Sequence, residues 1–188
     1  VLVLLGLFGT SKIRIDNYLL EDLRQSHPMQ QDFLYFANHF AGARPFEMYI
    51  EVRDSSKTIF EEEVLAEIAQ VDRYLEEIYG VKSLLSPVSI MSKANQILNF
   101  GSERQYKIPA DSAQLLELSQ YVQQFFGEQD LRTSFSADGR SAKISGKIPD
   151  WGSYVVGQKD EALRNFLQEQ FSKSHLTYRI TGTANLMD

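Results

Sequence analysis

An α+β fold, built from strand–helix–strand units around one sheet, is the class this sequence predicts. Three observations predict it. Phe46–Arg53 alternates apolar with polar residues, as a half-buried strand does, and a long apolar stripe of helical period follows before a return strand at Val81. Asp138-Gly139, flanked by alternating segments, signals a β-hairpin. The hairpin's second arm, Ala142–Ile148, is then followed by a helix from about Gln158 to Ser172 and a last strand at Thr177–Leu186.

The elements follow in order. Val1–Gly9 is wholly apolar but much shorter than the roughly 20 residues that span a bilayer. It lacks the basic flank and small-residue cleavage site of a signal peptide. Two readings stand: a buried strand, or the end of a transmembrane helix belonging to a longer membrane protein. Lys12–Asp16 alternates like a short strand, and Leu19, Leu20 and Leu23 suggest a helical turn. Pro28 sits at the start of a helix whose Met29, Phe33, Phe36, Ala37 and Phe40 share one face, with Gly42 at its end. This aromatic stripe is read as core.

After the first strand, Thr58 and Glu61 match a capping box for a helix that turns Val64, Ile68, Val71, Leu75 and Ile78 inward and stops at Gly80. A crossover of this kind implies a mixed sheet with the helix on one face. Ser86-Pro87 is an N-cap and first residue for a helix through Leu98. Asn99–Pro109 is polar and turn-rich, a surface connector. Asp111 and Gln114 open another helix, with Leu115, Leu118, Val122 and Phe125 facing inward and Gly127 closing it. Leu131–Phe135 and Ala142–Ile148 are the hairpin arms around a type I′ turn, and in the second arm Ala142, Ile144, Gly146 and Ile148 alternate with a wet face. The final helix turns Leu163, Phe166, Leu167 and Phe171 inward, and the last strand brings Tyr178, Ile180, Gly182 and Ala184 to one side. Two strand–helix–strand units in one sheet, with a helical insertion at about 87–127, make a ferredoxin-like α+β sandwich.

Composition narrows the function classes. The chain's 188 residues suit one sizeable domain or two small lobes, and its 43% hydrophobic and 23% charged fractions are globular. A net charge of -6 argues against nucleic acid as a main partner. The absence of cysteine removes disulfides, thiol catalysis and thiolate metal sites. His27, His39 and His175 are isolated, without metal-ligand spacing.

The serines lie in no nucleophile-elbow context, and no Ser–His–Asp order is defensible. Glu61-Glu62-Glu63 is read as a solvated helix start, where carboxylates favour the macrodipole. Asp16, Glu21 and Asp22 lack calcium-loop spacing, and Gly146, Gly152 and Gly157 form no phosphate loop. Lys12, Arg14, Lys143 and Lys147 read as wet strand faces, and Trp151 as a plug between hairpin and helix. No catalytic, cofactor or metal residue is expected, and no enzyme.

One resemblance covers nearly the whole chain. The apolar run followed by IRIDNYLLEDL (Ile13–Leu23), then HPMQQDFLYFANHFAGARPFEMYIEV (His27–Val52), YGVKSLLSPVSIMSKAN (Tyr79–Asn95), AKISGKIPD (Ala142–Asp150) and YRITGTANLMD (Tyr178–Asp188), resembles the first periplasmic loop of RND-superfamily, MmpL-like exporters. The order of the pieces carries the resemblance, since each is weak alone. It implies that residues 1–10 are the outer end of a transmembrane helix. An incoming strand and N-terminal helix would occupy 11–43, and the porter domain 44–188. It further implies a proton-driven exporter of hydrophobic or amphiphilic, lipid- or drug-like substrates in a bacterial inner membrane, with this segment periplasmic. The partners would be the second periplasmic loop, which can lend a strand, the transporter's own transmembrane helices and, through an exposed sheet edge, a second copy. The alternative is a soluble ferredoxin-like ligand-binding or protein-interaction module with Val1–Phe8 paired inside the sheet.

Overall fold

The computed structural model describes residues 16–19, 23–24, 26–125 and 134–181. Helix α1 (Pro28–His39) leads into strand β1 (Arg44–Val52). Helix α2 (Glu62–Tyr74) continues as one π turn (Leu75–Tyr79) into β2 (Lys82–Leu85). Helices α3 (Pro87–Leu98) and α4 (Ser112–Phe125) are inserted next, and β3 (Ser141–Ile148), α5 (Gly152–Phe171) and β4 (Leu176–Ile180) follow among the described residues. The class is α+β, around a four-stranded sheet ordered β2-β3-β1-β4. Its three strand pairings are all antiparallel, which corrects the expected mixed sheet. β1 and β2 do run in the same direction, but β3 lies between them.

Burial follows the alternation of β1. Phe46, Met48, Ile50 and Val52 point into the core with Ala142, Ile144 and Ile148 of β3 and Leu176 of β4. Val64, Ile68, Val71 and Leu75 of α2, and Val156 and Leu163 of α5, close over that same face. The opposite face is polar: Lys143 pairs with Glu47 at 3.0 Å, and the Tyr49 hydroxyl donates to Ser141. A second cluster joins Phe60 and Leu65 to Ile90, Met91 and Ala94 of α3 and Leu115, Leu118 and Val122 of α4. The insertion therefore packs beside α2. Ser86 caps α3 with a reciprocal box to Ser89 and Pro87 at its start, as expected. Asp111 Oδ1 accepts from the Gln114 amide at the start of α4.

Several expectations fail for identifiable reasons. Thr58 and Glu61 form no capping box: the helix starts at Glu62, because Ile59 and Phe60 are drawn into the core and the Ile59 amide bonds Gly139 O. Ile78 faces solvent, since the π turn adds a residue to the helical repeat and brings Tyr79 inward in its place. The Gly80 amide bonds Leu75 O at 2.9 Å and Gly80 takes φ +94°, ending the helix as expected.

The turn at Asp138-Gly139 is not type I′. Of its two central residues only Gly139 has positive φ, and the Gly139 amide bonds Ser136 O inside a wider loop that Ser136 and Ser141 close. The hairpin's first arm is described only from Ser134, with Phe135 bridging Ala142. α5 begins at Gly152, six residues before the expected start.

The stripe of α1 is not core. None of its residues is buried, and Met29, Phe36 and Phe40 are each more than half exposed. Leu19 and Leu23 lie outside any helix. The expected strand at Lys12–Asp16 (apart from Asp16), the side chain of Phe125, Gly127, and the end of the last strand beyond Thr181 lie outside the described residues, as do Val1–Gly9.

Candidate functional site

Three carboxylates in the helical layer each accept from a hydroxyl. Tyr79 donates to Asp160 Oδ1 at 2.6 Å, tying the π turn to α5. Tyr178 donates to Glu67 Oε1 at 2.6 Å, and Ser174 donates to the same oxygen, tying β4 to α2. Burial first, then the carboxylate each one faces, pushes both phenols far above their ordinary range. They are therefore fixed donors and not proton acceptors. Lys159 is equally committed: its Nζ donates to Tyr79 O at 2.8 Å and stands 4.5 Å over the Trp151 ring.

Asp72 is the third and differs from the other two. It lies on the inward stripe of α2, 8% exposed, where α2 meets the capped start of α3. The Ser86 hydroxyl donates to Oδ2, while Oδ1 is buried without a hydrogen-bond partner. Burial, with a smaller push from Glu76, outweighs the Ser86 bond and raises the carboxyl to about 7. An inward carboxylate with one neutral partner can take up a proton near neutrality. Its hydroxyl neighbour, Ser86, is itself fully buried, and among the described residues no three His, Asp or Glu side chains are grouped to hold a metal ion.

A second constellation joins distant segments at one end of the sheet. Buried Arg44, opening β1, ion-pairs with Asp150 and donates from Nη2 to Asn17 O. Asp150 Oδ2 also accepts from the Leu19 amide at 2.9 Å. Asp16 accepts from the Tyr154 amide and so satisfies one open donor at the start of α5, while the Asn17 amide donates to Ser153 Oγ. Gly152 makes room for this: at φ +78°, a Cβ there would sit 2.2 Å from Asp16 Oδ1. Gly42, at φ +114° with a virtual Cβ 2.4 Å from Ile148 O, turns the chain leaving α1 against the same end.

From that end α1 leaves Met29, Leu34, Tyr35, Phe36 and Phe40 exposed, while Phe33 and Ala37 are partly covered. Met29, Phe33, Phe36 and Phe40 fall on one helical face, and Phe36 stacks on Phe40 at 5.0 Å. His27 caps the helix by accepting from the Met29 amide. Tyr35 and His39 stack along the adjoining flank at 4.1 Å. Asp32 is the helix's only Asp, Glu, Lys or Arg.

The residues singled out from the sequence are dispersed. Asp16 caps a helix, and Glu21 and Asp22 lie outside the described residues. Glu61, Glu62 and Glu63 are exposed at the start of α2, with Glu63 ion-paired to Lys57 and 4.0 Å from His175. Trp151 packs against Gly80 and Tyr79 at the junction expected of it. Gly146 serves packing, since a Cβ there would meet Val81 Cγ1 at 2.4 Å. Asp72 and the Arg44–Asp150 pair are the groups that sequence reading missed. The available signal for Asp72 was a carboxylate directly beside Val71 on an apolar stripe. No helix among the described residues is long and apolar enough to cross a membrane. No family model matches the chain, and no curated protein matches it either.

Proposed function

We propose that this chain is a periplasmic porter domain of a proton-driven bacterial inner-membrane exporter of the RND superfamily, in its MmpL-like branch, with a ferredoxin-like core. Its role is mechanical: it carries no reaction of its own and moves as one wall of a path for hydrophobic or amphiphilic, lipid- or drug-like molecules. Its partners are the second periplasmic loop and the transmembrane helices of the same transporter.

The observation that carries the reading is the topology. The path β1-α2-β2-β3-α5-β4 with strand order β2-β3-β1-β4 supports reading the core as a split β-α-β sandwich of the porter kind. Two further features support it. α1 presents an apolar face that an isolated water-soluble domain has reason to bury. An apolar run, Val1–Phe8, precedes the segment pinned to α5.

Orientation is the experimental test. A single cysteine at Arg104, exposed in the connector between α3 and α4, is introduced into the full gene product in intact cells. Labelling by a membrane-impermeant maleimide without lysis is expected. Labelling only after lysis contradicts the assignment.

A further inference from the structure

The α3–α4 insertion packs around a cluster separate from the one under the sheet. Ile90, Met91 and Ala94 of α3 meet Leu115, Leu118 and Val122 of α4, and reach α2 and the segment before it through Leu65 and Phe60. Buried Asn95 ties the connector to α3, its Nδ2 donating to Gln105 O at 2.9 Å and to Lys107 O at 3.0 Å. The insertion leaves the sheet through β2, an edge strand whose pairing with β3 is interrupted between Lys82 and Leu85. Within that break Ser83 takes φ +52°, a left-handed conformation that a residue with a Cβ adopts at a cost. A broken ladder and a strained serine make β2 a hinge, and Ser86, the cap of α3, stands just beyond it.

Asp72 sits on the seam that such a hinge would open. Its Oδ2 takes the Ser86 hydroxyl and its Oδ1 is buried without a partner, so an ionised carboxylate there has one neutral donor for two oxygens. Glu76, one turn further along α2, adds like charge, and on β4 the Tyr178 phenol, which feels Asp72, is itself held neutral. Lys82 of β2 and Lys93 of α3 are exposed to solvent, Lys93 bonded to Gln96. We propose that Asp72 is a proton-sensitive latch on the insertion: loss of its proton raises the population of a state in which α3 and α4 have swung off α2 about β2. The proton passes to solvent, and water hydrates both oxygens once Ser86 has moved away, while the sheet beneath α2 and α5 stays closed. A hydrated carboxyl titrates at its ordinary 3.8 and the seated one near 7. The opened population is therefore smallest below about pH 4, rises by about tenfold per pH unit up to about pH 7, and is level above it. The latch is a property of the domain itself and does not depend on the exporter reading.

Native-state amide hydrogen exchange of the 188-residue chain in dilute urea, at several pH values between about 5 and 8, tests it, with every rate divided by that of an unprotected peptide at the same pH. The Ala94 and Asn95 amides in α3 should be less protected than those of Met48 and Ile50 in central β1, and should respond less to urea, because only part of the domain opens. Between pH 5 and 8 their protection should fall by roughly a hundredfold. In Asp72→Asn it should stay constant over that range. The proposal is overturned if the α3 amides match those of β1 in both protection and urea response, since global unfolding is then the one opening they share. It is equally overturned if α3 protection in the parent is flat with pH, or if Asp72→Asn keeps the parent's slope. Should Asp72→Asn fail to fold, the parent's own series decides, with β1 as its internal reference and a slope that ends near pH 7 as the mark of this carboxyl.

Discussion

Replacing Asp72 by Asn tests the inference that a neutral carboxyl is built into the joint between α2 and α3. The group titrates ordinarily at 3.8 and near 7 in the fold, so the folded protein holds that proton more tightly than the unfolded chain. Its ionisation therefore costs nothing below about pH 4. The cost grows as pH rises through the window between the two values, and is complete above pH 7. At about 1.4 kcal/mol per tenfold in proton affinity, the full cost is on the order of 4 kcal/mol.

Asparagine keeps the shape and an acceptor for Ser86 but has no proton to lose. Urea unfolding of both proteins at pH 4.5, 6 and 8 supplies the comparison. The difference between them cancels other acids, including Asp54, Glu63 and Asp138, whose carboxyls are all held below their usual range. Asp72→Asn should be close to neutral at pH 4.5 and more stable than the parent by several kcal/mol at pH 8. A difference that stays constant across the three pH values refutes a carboxyl protonated near neutrality in the fold.

Four other substitutions probe the packing. Phe36→Ala should change stability by less than about 0.5 kcal/mol, because the ring is exposed, whereas Leu163→Ala, fully buried under the sheet, should cost roughly 2–5 kcal/mol in the same denaturant series. Gly146→Ala drives a methyl into Val81 and should lower stability by about 1–3 kcal/mol, read as a drop in thermal midpoint. Arg44→Ala strands Asp150 in a largely covered site and should cost about 3 kcal/mol, with faster hydrogen exchange at the Leu19 amide.

The sequence makes most of the sheet legible because alternation reports burial directly. Met48, Ile50, Ile144 and Ile148 all point where their spacing places them. Local capping chemistry at Ser86-Pro87 and Asp111 is equally readable, since both partners lie within four residues. What misleads is anything decided by a distant partner. The early start of α5 depends on Asp16, which bonds Tyr154 from 138 positions away. The outward turn of Ile78 depends on a π turn that no apolar spacing announces. The α1 stripe has the period of a core helix, and period cannot say whether a face meets the same domain or something else.

Asp72 was legible only as an oddity beside Val71. Its weight comes from burial where α2 meets the start of α3, against the opposing bond from Ser86, two elements further along the chain.

The central claim, that this is one periplasmic wall of a membrane exporter, is tested most directly by the coding sequence on either side of it. The account predicts apolar segments of about 20 residues both continuing upstream of Val1 and beginning shortly after Asp188, with a second periplasmic loop of similar strand–helix–strand order further on. Flanks that encode no membrane-spanning segment would contradict it.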